Sequence, residues 1–195
     1  SAAHGKFGLI RVELKQKQIF DDWLELKKPK INADKFFTVP GLFSYKKIDL
    51  GSLFLASNFE NKLSGDVVDL GAGWGVLSNY ALETNSSIKS ITLIENNKIA
   101  LDMAKLNVKG PKTRFLWSDL TFGTKIWKNF DVAICNPPFH NGGKLDLELS
   151  FSFVRMASRL LKRNGVLWLV ANIQLPYEFY IKKCFWDTKI LTDDG

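Results

Sequence analysis

Apolar residues fall in two rhythms along this chain. From Gly65 onward, compact apolar runs (Val67-Val68-Asp69-Leu70, Ile88 to Ile94, Thr113 to Trp117, Phe130 to Cys135, Val166 to Ala171) are separated by stretches with apolar positions at helical spacing. Strands that lack polar alternation are buried on both faces, and a helix after each one makes their sheet parallel. The intervening helices are expected at Val76 to Glu83, at Ile99 to Leu106 before a Gly110-Pro111 stop, and at Leu147 to Lys162. The last carries Phe153, Val154, Ala157, Leu160 and Leu161 on one face, with Lys162-Arg163-Asn164-Gly165 as its C-terminal signal, and Thr188 to Leu191 reads as the start of a sixth strand. Upstream, Val12 to Leu26 has the pattern of a short amphipathic helix broken by Lys27-Lys28-Pro29-Lys30. Phe36 to Val39 reads as a short strand stopped by Pro40-Gly41, and Leu50 to Phe59 as a helix. The expected fold is α/β, a doubly wound and mainly parallel sheet over residues 36–195, with residues 1–35 as an N-terminal extension or linker.

Composition narrows the class. The chain has 195 residues, is 46% hydrophobic and carries a formal charge of +7, enough apolar material for one core and too much for a disordered tail. No apolar run reaches the roughly 18 residues of a membrane-spanning helix, and the N-terminus lacks a signal-peptide core, so a cytoplasmic protein with no membrane partner is expected. Two cysteines, Cys135 and Cys184, support neither a disulfide framework nor a zinc site. The basic excess alone leaves a polyanionic partner open.

Parallel sheets bind ligands at the carboxyl ends of their strands, near the point where strand order reverses. The candidate chemistry falls there. Asp69-Leu70-Gly71-Ala72-Gly73-Trp74-Gly75 closes the first strand with a loop whose alternate glycines allow a sharp turn and close backbone approach. The third glycine comes one residue earlier than in a dinucleotide fingerprint. A carboxylate at Asp69 is awkward for a pyrophosphate but suits a cationic ligand such as S-adenosylmethionine. Glu95 ends the second strand, where an acid can accept both hydroxyl protons of a ribose, and Asp119 follows the third, placed to accept from an adenine amino group. Trp74 in the same loop reads either as a lid over a bound ligand or as packing on the sheet edge, and packing is the expectation.

After the fourth strand comes Asn136-Pro137-Pro138-Phe139-His140. The prolines fix φ and remove donors, so a stiff loop presents the Asn136 amide oxygen beside the Pro137 carbonyl. Two acceptors match the two protons of a planar NH₂ group, and Phe139 offers a face for a stacked base. His140 is left open between a contact to the base or its phosphate and a bond within the loop, and Asn141-Gly142-Gly143-Lys144 between a closing loop and a plain connector. His4 is assigned no role.

Asp69-x-Gly71-x-Gly73-x-Gly75 with Asn136-Pro137-Pro138-Phe139 resembles the class I, Rossmann-like S-adenosylmethionine-dependent methyltransferases that modify amino groups. With Pro40-Gly41-Leu42-Phe43-Ser44, Asp49-Leu50-Gly51-Ser52, Val170-Ala171-Asn172 and Leu175-Pro176-Tyr177, the string is similar to the ribosomal RNA small-subunit guanine-N2 methyltransferase C family, from about residue 36 to the end. The resemblance implies methyl transfer from S-adenosyl-L-methionine to guanine N2 in ribosomal RNA. It implies Asn136, Pro137 and Phe139 as catalytic residues and Asp69, Gly71, Gly73, Gly75, Glu95, Asp119 and Asn136 around the cofactor. The segment resembling Gly41 to Ser52 lies over the cofactor site in that family. No metal is implied, and a monomer acting on ribosomal RNA or the small subunit is expected. The family's catalytic domain is the second half of a duplicated chain, and its sheet has a seventh strand. A chain that starts at Ser1 without Met and stops after Thr192-Asp193-Asp194 is therefore expected to be a piece of something longer, with the last strand missing. Adenine-N6 and protein-glutamine methylation, and a non-catalytic RNA-binding module on the same fold, remain as alternatives. Lys27, Lys28, Lys30, Lys35, Lys46 and Lys47 form one candidate phosphate-binding cluster, and Lys105, Lys109, Lys112 and Arg114 a second.

Overall fold

A computed structural model describes residues 11, 24–110, 112–122, 129–138, 140–141, 144–172 and 174–191. Five strands form one parallel sheet: β3 (Gly65–Leu70), β4 (Ile88–Glu95), β5 (Thr113–Trp117), β6 (Phe130–Cys135) and β9 (Leu161–Leu169), in spatial order β5-β4-β3-β6-β9. The chain runs outward from β3 through β4 to β5, then returns to the other side of β3 for β6 and β9. The reversal falls between β3 and β6.

Alternation along β3 divides the core. Val67 joins Ile91, Leu93, Val132 and Ile134 on one face, under helices α1 (Leu50–Phe59), α2 (Val76–Thr84) and α3 (Lys98–Asn107). Val68 and Leu70 join Ile94, Ala133 and Cys135 on the other, under Phe153, Met156, Ala157 and Leu160 of α4 (Leu147–Leu160). Helix starts follow capping chemistry. Asp49, Asn97 and Asp146 each accept backbone N–H groups at the head of α1, α3 and α4.

The register carries the strand ends to one edge. Leu70 lies opposite Ile94 and Cys135, Glu95 opposite Trp117, and Cys135 opposite Leu169. The residues that follow these positions therefore share one rim.

A segment from the N-terminal third covers part of that rim. The antiparallel pair β1 (Lys30–Ile31) and β2 (Phe37–Thr38) leads to residues Val39, Leu42 and Ile48, which bury against Trp74, Val76, Ala100 and Met103. The Asn107 side chain helps tie the segment down with three hydrogen bonds. Its Oδ1 accepts the Phe37 N–H at 2.7 Å, and its Nδ2 donates to the carbonyls of Phe37 at 2.9 Å and Trp74 at 2.8 Å.

Two expectations are corrected. The helix expected to Lys162 ends at Leu160, because Leu161 already pairs with Phe130 in the sheet. Pairing resumes at Val166 with Val132, so Lys162-Arg163-Asn164-Gly165 forms an irregularity inside β9 rather than a helix end. Residues 188–191 form no strand among the described residues; α5 (Tyr177–Cys184) precedes them. Most of the helix expected at Val12 to Leu26 lies outside the described residues, which begin their helical turn at Leu24. After the Asn-Pro-Pro turn, His140–Asn141 (β7) pairs antiparallel with Lys144–Leu145 (β8); Gly142 and Gly143, in the segment expected as a closing loop or a connector, lie outside the described residues. No helix among the described residues is long and apolar enough to cross a membrane.

Candidate active site

The loop after β3 takes its shape from three left-handed glycines, Gly71 at φ 70°, Gly73 at 54° and Gly75 at 91°. At Gly75 both conformation and space require glycine, since a Cβ would come within 2.6 Å of Val108. Gly73 differs. A Cβ there would meet nothing within 4 Å, so its half-buried backbone borders open space. The Gly71 and Ala72 N–H groups bond to the Ile94 carbonyl at 2.9 and 3.1 Å, which pins the loop to the end of β4.

Asp69 sits on the face of β3 turned toward α2 and is fully buried. Ser78 Oγ donates to its Oδ2 at 2.6 Å, while Oδ1 is buried with no hydrogen-bond partner. Burial pushes its carboxyl up from 3.8 to about 7; the Ser78 bond pulls the other way, and the charge of Glu95 adds to the rise. A buried carboxylate oxygen without a donor is costly, and a cationic group brought against it relieves that cost.

Glu95, 8% exposed, is held by backbone: Gly73 N–H donates to Oε2 at 2.9 Å and Asn97 N–H to Oε1 at 2.7 Å. The carboxylate is thus fixed beside the open face of Gly73, with acceptor capacity left for hydroxyl groups. Asp119, two residues beyond β5, accepts the N–H and hydroxyl of Thr121 on Oδ1 at 2.8 and 2.6 Å. Asp69, Glu95 and Asp119 therefore do share the rim with the glycine loop, as the strand-end rule requires. Cys135 on the same rim is inert, its thiol buried and pushed well up, with Sγ against the Leu70 carbonyl at 3.4 Å.

Across the reversal point, Asn136 leaves β6 directly. Its Nδ2 donates to Asp49 Oδ2 at 3.0 Å and to Ser52 Oγ at 2.9 Å, both at the head of α1. Pro137 is buried, and Ser150 Oγ of α4 donates to the Pro138 carbonyl at 2.7 Å. The Tyr177 hydroxyl of α5 bonds to the same Ser150, and burial raises its pKa. The Asn-Pro-Pro turn is thus gripped from both sides. Phe139 and the His140 side chain lie outside the described residues, as does His4.

Trp74 packs rather than closes: it is 4% exposed, meets Phe36 edge-on at 5.3 Å, and donates its indole N–H to the Phe43 carbonyl at 2.9 Å. Three residues had no assigned role at the level of sequence. Asp49 and Ser52 belong to a segment that the resemblance places over the cofactor site, but neither carries a role of its own there, and 84 or more residues separate them from Asn136. Ser150 reads as an ordinary helical serine. Among the described residues no group of three His, Cys, Asp or Glu side chains could hold a metal ion.

A five-stranded parallel sheet in this order, with a glycine loop after its first strand, acids after its second and third and Asn-Pro-Pro after its fourth, defines the Rossmann-like class I methyltransferase fold. Residues 33–195 match the methyltransferase small domain family, and the chain belongs to it. It is similar to ribosomal RNA small subunit methyltransferase C of Buchnera aphidicola subsp. Schizaphis graminum, 32% identical over 183 residues that cover 87% of this chain and 54% of that protein. The corresponding Hamiltonella defensa protein is 34% identical over 184 residues, covering 93% of this chain and 54% of its own length. The chain thus spans about half the length of the curated relatives it matches. Among solved structures it is similar to the Thermus thermophilus 16S rRNA N2 G1207 methyltransferase (RsmC) in complex with AdoMet and guanosine. That match has a TM-score of 0.67 and 28% identity over 82% of this chain and 45% of that one. An RNA methyltransferase-like structure from Pyrococcus horikoshii, at 23% identity and a TM-score of 0.53 over 75% of each chain, shares the fold.

Proposed function

We propose that this protein transfers a methyl group from S-adenosylmethionine to the exocyclic N2 of a guanine in ribosomal RNA, acting in the cytoplasm. The observation that carries the reading is the Asn136 amide, held through its NH₂ group by Asp49 and Ser52 so that Oδ1 is the atom left to face a substrate. The similarity to enzymes named for ribosomal RNA methylation, one of them with guanosine bound, supports the same acceptor.

The rim fits the cofactor on two observations. The unpartnered, buried Oδ1 of Asp69 suits a cationic ammonium, and the open face of left-handed Gly73 suits a ligand in close contact with backbone. Glu95 would accept from ribose hydroxyls and Asp119 from the adenine amino group. When bound, the cofactor supplies an electrophilic methyl group on a positively charged sulfur.

The remaining chemistry belongs to the chain. The guanine amine is a weak nucleophile because its lone pair spreads into the ring. Asn136 Oδ1 and the Pro137 carbonyl accept its two hydrogens, which favours a pyramidal nitrogen with a localised lone pair. The same two dipoles stabilise the positive charge that grows on nitrogen during transfer. The stiff turn holds the amine in line with the methyl group, and such orientation is worth up to about 7–11 kcal/mol in well-aligned systems. No strong general base is needed before the methyl moves. Phe139 would stack on the base, which must be unpaired or flipped to enter.

The lysines around β1 and β2 sit beside this rim, since Phe43 of the same segment bonds Trp74 of the glycine loop. They are exposed and suited to phosphates. Replacing Asn136 with Ala tests the reading: S-adenosylmethionine affinity by calorimetry should stay within a few-fold while turnover falls by about 10²–10³. Unchanged turnover would remove Asn136 from its role.

A further inference from the structure

We infer that Asp49 and Ser52, at the head of α1, are positioning residues that fix which end of the Asn136 amide faces the substrate, and so select an amine as the methyl acceptor. The inference rests on the proposed role of Asn136 and concerns what gives that residue its polarity.

A carboxamide is nearly symmetric in shape. Rotated by half a turn, Asn136 would offer its NH₂ where its oxygen had been, and an incoming amine would meet donors instead of an acceptor. Sequence and backbone do not exclude that state. The head of α1 does. Asp49 Oδ2 already accepts the Ser52 N–H at 3.0 Å, so the Asn136 atom lying 3.0 Å from it must be a donor. Ser52 Oγ takes the second amide proton at 2.9 Å. Ser52 is only 8% exposed, which shields this bond from competing water. A flipped amide would set its oxygen against a carboxylate oxygen and leave the NH₂ aimed at the reacting amine.

The neighbouring backbone keeps the helix head within reach. A Cβ on Gly51 would come within 3.0 Å of Asp49 Oδ2 and 3.4 Å of Val170, so this glycine allows α1 to approach the end of β9 closely. One carboxylate oxygen then serves two ends, capping α1 and locking the amide 87 residues away.

Separating those two jobs tests the inference. Serine caps helices about as well as aspartate but has a shorter side chain, so Asp49→Ser should keep the cap and lose the bond to Asn136. Asp49→Asn keeps an acceptor oxygen facing both donors. In the full-length protein without ligand, ¹⁵N NMR should show the Asn136 side-chain NH₂ protons protected from exchange in the wild type and in Asp49→Asn. In Asp49→Ser and in Ser52→Ala the NH₂ proton that has lost its acceptor should lose that protection. In steady-state assays, Asp49→Ser should lower kcat about a hundredfold and Ser52→Ala about tenfold, with KM for RNA and cofactor affinity within threefold of wild type. Asp49→Asn should stay within about fivefold. A kcat for Asp49→Ser within twofold of wild type, or unchanged Asn136 NH₂ protection in that variant, would overturn the inference. A wild type that methylates no RNA while the NMR signals respond as described would instead overturn the proposed function and support the lock.

Discussion

Asp69 combines two properties that rarely share a residue: complete burial and an oxygen with no donor. Its carboxyl is raised from 3.8 to about 7, so the folded state holds a proton that the unfolded chain releases near pH 4. The stability associated with that proton is fully present below about pH 4 and is lost as pH rises through about 7. Asp69→Asn should therefore flatten the fall in melting temperature between pH 5 and 8 and stabilise the protein at pH 8. An identical pH profile for wild type and variant would contradict the buried, raised carboxyl. If the cofactor's ammonium meets Asp69 Oδ1, binding at pH 7 should release a fraction of a proton. Calorimetric heats would then differ between Tris and phosphate by the buffers' ionisation enthalpies, and heats independent of buffer would place the ammonium elsewhere.

At the scale of elements, one amide makes three of the bonds that hold the cover segment. Asn107 bonds Phe37 twice and Trp74 once, joining β2 to the glycine loop. Asn107→Ala removes three partly buried bonds and should cost about 1–3 kcal/mol of stability. It should also weaken cofactor binding more than Asn136→Ala does, because the loop loses one of its anchors. Cofactor affinity equal to wild type would show that the loop holds its shape alone. Elements also differ in how far the sequence reveals them. Strand and helix positions were legible because burial on both faces and helical periodicity leave a local mark, and Leu50 to Phe59 was read to the residue. The end of α4 is not legible in the sequence, because turn-forming Lys162-Arg163-Asn164-Gly165 signals a break, whereas pairing of Leu161 with Phe130 decides where the helix stops. The rim acids and Asn136 were legible from their places after strands. Asp49, Ser52, Asn107 and Ser150 were not, since their partners lie 12 to 87 residues away and only folding brings them together.

For the whole molecule, the charge of +7 turns out to be a secondary clue. In the proposed function, acids and prolines at strand ends carry the chemistry, and the lysines enter only by their place beside the rim. Both basic clusters are partly neutralised, with Lys28 paired with Glu25 at 2.5 Å and Lys105 with Asp102 at 3.0 Å, and what sets the first apart is that Lys30 and Lys46 stand on the segment that packs against the glycine loop. Charge removal at Lys30 and Lys46 should weaken RNA binding for all sequences alike and reduce the slope of log K against log salt by about 1 for each phosphate no longer neutralised. A slope equal to wild type would move the RNA path off this segment. The most direct test of the central claim is the chemical identity of the product. Small-subunit ribosomal RNA incubated with the full-length protein and methyl-labelled S-adenosylmethionine should yield labelled N2-methylguanosine on nucleoside analysis by mass spectrometry, and Asn136→Ala should yield almost none. Label in N6-methyladenosine, label in protein glutamine, or no labelled nucleoside at all would contradict the account.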